Sequence, residues 1–188
     1  KLSRGDCHTA LNRMVAHGVQ CGLHIFVSRD TDNELCRLCE TKNYGSMNNV
    51  ELSMMFTLEE ALFLMAELGM LQIKGSDAMT PIGPDQFFES CCSEVPGFPQ
   101  KYAAYRHFRR LGWIVRANAL KFGADFLLYD GHVEEVHAQY AVVMAREDTR
   151  WQDMLAGSRL TQGVAKELLL VMFLHHGVST KLPALGRE

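Results

Sequence analysis

The sequence has no hydrophobic run long enough to cross a lipid bilayer. A transmembrane helix needs about 20 consecutive apolar residues, and no segment of the 188-residue chain approaches that length. The chain also lacks a signal-peptide pattern and begins with lysine rather than methionine, which we expect of a fragment of a longer protein. The sequence therefore predicts a chain without a membrane segment.

An excess of positive charge is also missing. The chain has 19 lysines and arginines against 22 aspartates and glutamates, which gives a net charge of −3. No overall field attracts it to nucleic acid, so an RNA or DNA site would need a local basic patch or a partner. The composition, 47% hydrophobic and 22% charged, is typical of a globular protein with a core, in one domain or two small ones.

The cysteines lack the spacing of a zinc site. Cys36 and Cys39 form one C-x-x-C pair, but the adjacent cysteines at 91–92 are not a matching second pair. His8 and His24 could complete a site, although nothing in their spacing demands it. We predict reduced, partly buried thiols of an intracellular protein and no bound metal.

Turn residues at Pro96 and Pro99 divide the chain into two parts. For residues 1–96 we predict a small N-terminal α/β domain. Its clearest helix begins at Thr57, because Thr57 and Glu60 have the spacing of a capping box. The predicted elements are a helix over 8–18, a strand over 23–27, a polar and turn-rich stretch over 31–50, a helix over 57–70, a strand over 70–73 and a helix over 83–95.

For residues 97–188 we predict a second domain. Pro99 suits a first helical turn and Gly112 suits a C-terminal cap. The apolar run over 167–174 could continue a preceding helix, but it is short and apolar on all sides, which favours a buried strand. The predicted elements are a helix over 99–113, strands over 113–116, 124–129 and 137–145, a helix over 151–165 and this last strand.

Three polar residues, Tyr129, His137 and Lys166, lie at the margins of these apolar elements. Each alone has an ordinary explanation as a strand-end, surface or helix-end residue. Together they suit RNA cleavage by the substrate's own 2′-hydroxyl, which needs a base, an acid and a cation. Tyrosine is a poor base unless a nearby cation lowers its pKa. We expect the three polar tips to lie roughly 4–8 Å apart.

The motifs around these residues resemble the catalytic domain of tRNA-splicing (tRNA-intron) endonucleases. They include a Y-x-x-Y-x-x-F-R helix, K-F-G-x-D-F-x-x-Y, H-A-x-Y-x-V and an arginine seven residues before the lysine of V-x-K-x-L. The resemblance covers residues 98–174, and "ELSMMFTLEEALFLMAELGMLQI" resembles the segment preceding that domain. "AYRHFRRLGWIVR" looks closest to the eukaryotic catalytic subunit that cuts the 5′ splice site.

The resemblance implies a role for each site residue. Tyr129 would be the general base, His137 the general acid and Lys166 the cation that stabilises the phosphorane. Arg159 would stack on a flipped RNA base beside the cut. No metal and no cofactor would be needed, and the products would carry a 2′,3′-cyclic phosphate and a 5′-hydroxyl.

The resemblance also implies a fold and partners. The fold would be α/β (α+β), in which a nuclease domain like that of restriction endonucleases, with a mixed central sheet flanked by helices, follows the N-terminal domain. The partners would be precursor tRNA and the other subunits of a heterotetramer in the nucleus.

The sequence departs from the family pattern in three places. The turn in "VRANALKFG" is one residue longer than usual, so a bulged hairpin is expected there. The connector after "VVMARED" is short. The end of the chain, "GVSTKLPALGRE", does not show the usual final strand with an Arg-Trp pair. Subunit pairing and part of RNA binding depend on that strand in the family.

Two other functions remain open from the sequence. A metal-dependent nuclease on the same fold could use Asp125, Glu134 or Glu135 and a lysine, although no second carboxylate falls at a convincing strand position. A non-catalytic structural subunit of the same complex has no reason to retain all three catalytic side chains, which this chain has.

Overall fold

The computed structural model describes residues 15–28, 33–48, 53–74, 80–117, 123–145 and 167–173, together with Leu182. These residues form two β-sheets and the helices that flank them. In chain order the elements are β1 (Ala16–Cys21), β2 (His24–Ser28), α1 (Asn33–Lys42), β3 (Ser46–Asn48), β4 (Ser53–Thr57), α2 (Leu58–Ala66), β5 (Leu71–Lys74), β6 (Pro81–Ile82), α3 (Pro84–Glu94), α4 (Phe98–Arg110), β7 (Ile114–Arg116), β8 (Phe126–Tyr129), β9 (Tyr140–Ala145) and β10 (Glu167–Met172).

The first sheet contains six strands in the order β3-β4-β2-β1-β5-β6. β1 and β5 are parallel, and the other neighbours are antiparallel. α2 packs against β2, β4 and β5. The predicted capping box is confirmed, because the Thr57 hydroxyl accepts the Glu60 N–H and the Glu60 carboxylate accepts the Thr57 N–H. The start of α2 is therefore fixed by its own sequence.

The second sheet contains four strands in the order β10-β9-β8-β7. β7, β8 and β9 are antiparallel neighbours, whereas β10 runs parallel to β9. This confirms the predicted mixed sheet and, over residues 167–172, the strand predicted for 167–174. The predicted burial is wrong: the two ends of β10 are exposed and its middle residues are half-buried, because β10 is the outermost strand in the described sheet. A parallel pair needs a long crossover connection, and the 21 residues of sequence between the end of β9 and the start of β10 are enough for one. The α+β class, with a mixed sheet flanked by helices, is confirmed.

The helix that joins the two sheets, α4, is packed almost entirely by its aromatic residues. Pro99 lies in its first turn, and Gly112, just beyond its end, has a φ of 94° that favours glycine. Phe98, Tyr102 and Tyr105 are no more than 1% exposed. The named positions of the Y-x-x-Y-x-x-F-R motif are therefore the residues through which α4 packs into the core.

One hydrophobic cluster runs through both sheets. It extends from Ala16 in β1, through the buried faces of α2, α3 and α4, to Val142 in β9. The boundary predicted between residues 96 and 97 stays a prediction, and the parts on either side of it share a core.

The predicted helix over 8–18 is wrong where the structure describes it. Ala16, His17 and Gly18 lie in β1, and burial alternates along them with the period of two expected of a strand. Gly18 is required there, because a Cβ atom would lie 2.6 Å from a methyl carbon of Ile25. Residues 8–14 lie outside the described residues.

The stretch 31–50, predicted to be polar and turn-rich, contains α1 and β3. The buried side of α1 consists of Leu35, Cys36 and Cys39, a stripe too narrow to stand out among polar neighbours. Tertiary packing stabilises such a helix more than its own periodicity does. β9 also begins at Tyr140, three residues later than predicted.

Several predicted features lie outside the described residues. They are the hairpin turn within 118–122, the connector over 146–150 and the helix over 151–165. None of the helices in the described part of the chain is long and apolar enough to span a membrane.

Candidate active site

At one edge of the second sheet, β8 ends and β9 and β10 begin. Leu128 of β8, Tyr140 of β9 and Glu167 of β10 form one row across the sheet. The backbone of Gln139 ties this edge together, because its N–H donates to the Leu128 carbonyl at 2.9 Å and its carbonyl accepts the Glu167 N–H at 3.0 Å. Main-chain hydrogen bonds therefore set the relative positions of the three strand ends.

The predicted catalytic residues flank this row. Tyr129 directly follows Leu128, and His137 lies in the loop three residues before Tyr140. The structure thus brings Tyr129 and His137 to the same edge of the sheet. Lys166 directly precedes Glu167 in the chain, but Lys166 lies outside the described residues, as does Arg159. The expected clustering of the three polar tips stays a prediction.

Tyr129 lies on the face of the sheet that is turned away from the main core. Phe126 and Leu128 point into the main cluster, which includes α4. Leu127 alternates to the other face, where it forms a smaller cluster with Ala124, Ala138 and Ala141, and Tyr129 packs against this cluster. The side chain of Tyr129 is half-buried, so it is packed on one side without being enclosed by the core.

The electrostatic surroundings of Tyr129 act in opposite directions. Burial raises the pKa of its phenol above the ordinary value, and the positive charge of Arg116 partly offsets that rise. Arg116 pairs with Leu127 across β7 and β8, so it lies diagonally from Tyr129 on the same face. Arg116 is therefore a cation that favours the phenolate needed for base catalysis.

His137 is exposed, and its neighbours are fixed. Ala138, directly after it, is 5% exposed and packs into the smaller cluster. The loop before it folds onto one carbonyl, since the N–H groups of Glu135 and Val136 donate to the His132 carbonyl at 2.9 and 3.0 Å. An imidazole in this position can reach a substrate in solvent, while its backbone is restrained on both sides.

The carboxylates proposed for metal binding do not form a site in the described part of the chain. Asp125 accepts the Met144 N–H at 2.8 Å and donates its own N–H to the Val142 carbonyl at 2.8 Å. It thereby extends the pairing of β8 with β9. Glu134 and Glu135 are exposed on the loop. No group of three or more potential metal ligands occurs among the described residues.

The C-x-x-C pair is part of the core. Cys36 and Cys39 are buried thiols on α1. Burial strongly raises the pKa of Cys39, and burial also raises the pKa of Cys91 to about 12. Cys39 and Cys91 therefore stay protonated as thiols, and they behave as small apolar side chains.

A second constellation was missed by the sequence analysis. The carbonyls at the end of α1 and in the turn that follows it, residues 40–45 (the 40–45 turn), accept hydrogen bonds from basic side chains beyond residue 97. Arg109 donates to Lys42 at 2.9 Å and to Asn43 at 3.0 Å, and Arg116 donates to Gly45. The ring of His132 lies 3.1 Å from the Glu40 carbonyl.

Two of these acceptors, the carbonyls of Glu40 and Lys42, belong to the last turn of α1. The last carbonyls of a helix have no partner within it, and cations are favoured at its negative end. Arg109 is the last residue of the Y-x-x-Y-x-x-F-R motif, which was its one sequence signal. His132 and Arg116 carried no signal, because their partners are backbone atoms far away in sequence.

Comparison with known proteins gives the family. The profile of the tRNA intron endonuclease, catalytic C-terminal domain, matches residues 98–180. The tRNA-splicing endonuclease subunit Sen2-2 of Arabidopsis thaliana is 29% identical over 79% of this chain and 60% of its own length. The tRNA-splicing endonuclease subunit Sen2 of Mus musculus is 32% identical over 71% of this chain and 30% of its own length.

An archaeal relative matches over nearly its whole length. The EndA-like protein of Methanopyrus kandleri is 31% identical over 85% of this chain and 90% of its own length. The chain spans less than two thirds of the plant and mouse relatives, so it corresponds to a part of those proteins. The profile, these identities and the mixed α+β fold agree: the chain belongs to the tRNA intron endonuclease family and contains its catalytic domain.

Proposed function

We propose that this chain is a catalytic subunit of a tRNA-splicing endonuclease, and that it cleaves precursor tRNA at the 5′ splice site. The observation that carries the proposal is the common edge of the second sheet, where Tyr129 and His137 flank a row of three paired strands. Lys166 precedes the last residue of that row, Glu167. The relatives named as Sen2 subunits, together with the stretch 104–116, support the choice of the 5′ site.

The proposed reaction is an in-line transesterification within the RNA. Tyr129 removes the proton of the 2′-hydroxyl, and the 2′-oxygen forms a bond to phosphorus. His137 gives a proton to the 5′-oxygen as the bond from phosphorus to that oxygen breaks. Lys166 stabilises the extra negative charge of the phosphorane. The products carry a 2′,3′-cyclic phosphate and a 5′-hydroxyl.

RNA binding by this subunit is proposed to depend on local contacts. With a net charge of −3, the chain needs individual basic residues and partner subunits to hold a polyanion. Arg159 is proposed to stack its guanidinium on a flipped base beside the cut. The other subunits of a heterotetramer would complete the RNA site, and the reaction would take place in the nucleus.

The test of the reaction is a precursor tRNA with a single 2′-deoxyribose on the 5′ side of the cut, given to the full complex of this subunit with its partners. We expect no cleavage at that site, because the attacking oxygen is gone, and normal cleavage of the all-ribose control in strong chelator. Normal cleavage of the deoxy substrate would overturn the proposal. Inhibition by chelator with a 5′-phosphate product would indicate a metal-dependent nuclease instead.

The choice of splice site has a separate test. In a complex that carries His137→Ala in this subunit and wild-type partners, we expect precursor cut at the 3′ site alone to accumulate. Accumulation of the species cut at the 5′ site would assign this subunit to the other junction. Full cleavage at both sites would show that the subunit is structural rather than catalytic.

A further inference from the structure

The ring of His132 makes two hydrogen bonds of opposite kind. Its Nε2 lies 3.1 Å from the Glu40 carbonyl, and its Nδ1 lies 3.4 Å from the N–H of Glu134. A nitrogen that faces a carbonyl must carry the proton, and a nitrogen that faces an N–H must be bare. The two contacts together therefore fit the neutral imidazole with its proton on Nε2.

The backbone carbonyl of His132 and its side-chain ring both restrain the loop that leads to His137. Its carbonyl accepts the N–H groups of Glu135 and Val136, which folds residues 131–136 into a compact turn. Its ring accepts the Glu134 N–H and reaches out to α1. His137 follows this turn directly, and buried Ala138 holds the chain on its other side.

The acceptor of the hydrogen bond from the His132 ring lies in a well-packed part of the molecule. The Glu40 carbonyl belongs to the 40–45 turn, which also receives Arg109, a residue only 9% exposed, and Arg116. Arg109 further stacks on the ring of Tyr44 with 4.0 Å between the guanidinium carbon and the ring centroid. A loop attached to this turn is held against the core of the molecule.

We propose that His132 is a positioning residue for cleavage: by bonding the last turn of α1, it holds the 131–136 loop so that His137 meets the leaving 5′-oxygen. This inference rests on the proposed role of His137 as the general acid. A group displaced by about 1 Å from its productive position can lose a factor of roughly 100 in rate. Loosening this loop should therefore slow the chemical step and leave RNA affinity unchanged.

Two isosteric substitutions separate the contacts of the ring. His132→Gln places an amide N–H near the position of Nε2 and can keep the bond to Glu40. His132→Asn places an amide oxygen near the position of Nδ1 and can keep the local bond to Glu134, but it does not reach α1. His132→Ala loses both. His17→Ala, an exposed histidine on β1, is the matched control.

The first measurement is single-turnover cleavage of precursor tRNA by the full complex. We expect His132→Ala and His132→Asn to be slower by roughly tenfold or more, with His132→Gln recovering most of the rate and RNA affinity equal in all variants. A wild-type rate in His132→Asn together with a slow His132→Gln would overturn the inference, as would wild-type rates in all three.

The second measurement uses a precursor in which sulfur replaces the leaving 5′-oxygen at the cut. A thiol has a pKa of about 8.5, so the sulfur leaves as a thiolate without a proton from the enzyme. We expect this substrate to restore cleavage in both His137→Ala and His132→Ala. Rescue of His137→Ala without rescue of His132→Ala would overturn the positioning role alone. Failure to rescue His137→Ala would overturn the proposed acid, and with it the proposed mechanism.

Discussion

The buried face of α4 and the exposed edge of the second sheet both pair a tyrosine with an arginine, in opposite surroundings. On α4, Tyr105 is fully buried and its hydroxyl accepts Arg109 Nε at 3.0 Å. At the sheet edge, Tyr129 is half-buried and Arg116 lies diagonally from it on the neighbouring strand. The first pair is closed off from solvent, and the second is open to it.

The difference shows that surroundings, and not residue type, decide what these side chains do. Burial raises the pKa of Tyr105 well above the ordinary value, since its hydroxyl lies within the core with Arg109 as its partner. Burial raises the pKa of Tyr129 too, but this side chain is only half-buried, and the charge of Arg116 partly offsets the rise. Tyr105 therefore acts in packing, whereas Tyr129 can act on a substrate.

Substituting His137 tests the open edge and has the largest expected effect. His137→Ala should lower the single-turnover cleavage rate by roughly 10²- to 10⁴-fold, as loss of a general acid does, with RNA affinity nearly unchanged. Urea unfolding should give the wild-type free energy within about 0.5 kcal/mol, because exposed side chains contribute little. A loss of RNA affinity equal to the loss of rate would instead indicate a binding residue.

Substituting Arg109 tests the closed face. Its guanidinium donates to two carbonyls of the 40–45 turn and to Tyr105. Hydrogen bonds to charged groups contribute about 1.5–3 kcal/mol each, so Arg109→Ala should lower the free energy of unfolding by about 3 kcal/mol in urea titrations. Arg109→Lys keeps the charge but not the planar fork, and it should restore only part of the loss. A cost below about 1 kcal/mol for alanine would contradict the buried bridge.

Removing the charge beside Tyr129 sharpens the comparison. The cation of Arg116 lowers the pKa of Tyr129, so Arg116→Gln should raise that pKa further. The phenolate then forms at higher pH, and the alkaline rise of the cleavage rate should move to higher pH. Arg116→Lys keeps a charge and should move the profile less. Equal shifts in the two variants would contradict a role for the charge.

Much of the fold followed from local signals in the sequence. The capping box at Thr57, Pro99 at the start of α4 and Gly112 beyond its end each act within one turn of chain, and the structure confirms all three. The helix predicted over 8–18 was wrong for residues 16–18, because the pairing of β1 with β2 and with the distant strand β5 decides their conformation. α1 was missed for the same reason: its few buried residues pack against other elements.

The residues of the candidate site also divide into those that the sequence identified and those that only the structure shows. The motifs identified Tyr129 and His137, and the register of β8 and β9 brings both to one edge. Arg116 and His132 could not be found from the sequence, because their partners in the 40–45 turn are backbone carbonyls that lie 71 and 92 residues away in the chain. Backbone acceptors leave no side-chain pattern from which such contacts could be predicted.

The smallest expected effect comes from the arginine next to the buried one. Arg110 donates to Glu67 Oε2 at 2.9 and 3.3 Å, and its side chain is 43% exposed. Exposed ion pairs contribute about 0.2–1 kcal/mol, and Glu67 keeps Arg106 as a second partner. Arg110→Ala should therefore lower the free energy of unfolding by less than about 1 kcal/mol, and about 1 M salt should remove most of the difference by screening.

The variant to compare it with is Arg109→Ala, one position away on the same helix. If the two alanine variants lost equal stability in both low and high salt, burial would not be what distinguishes these arginines, and the contrast between the closed face and the open edge would lose its physical basis.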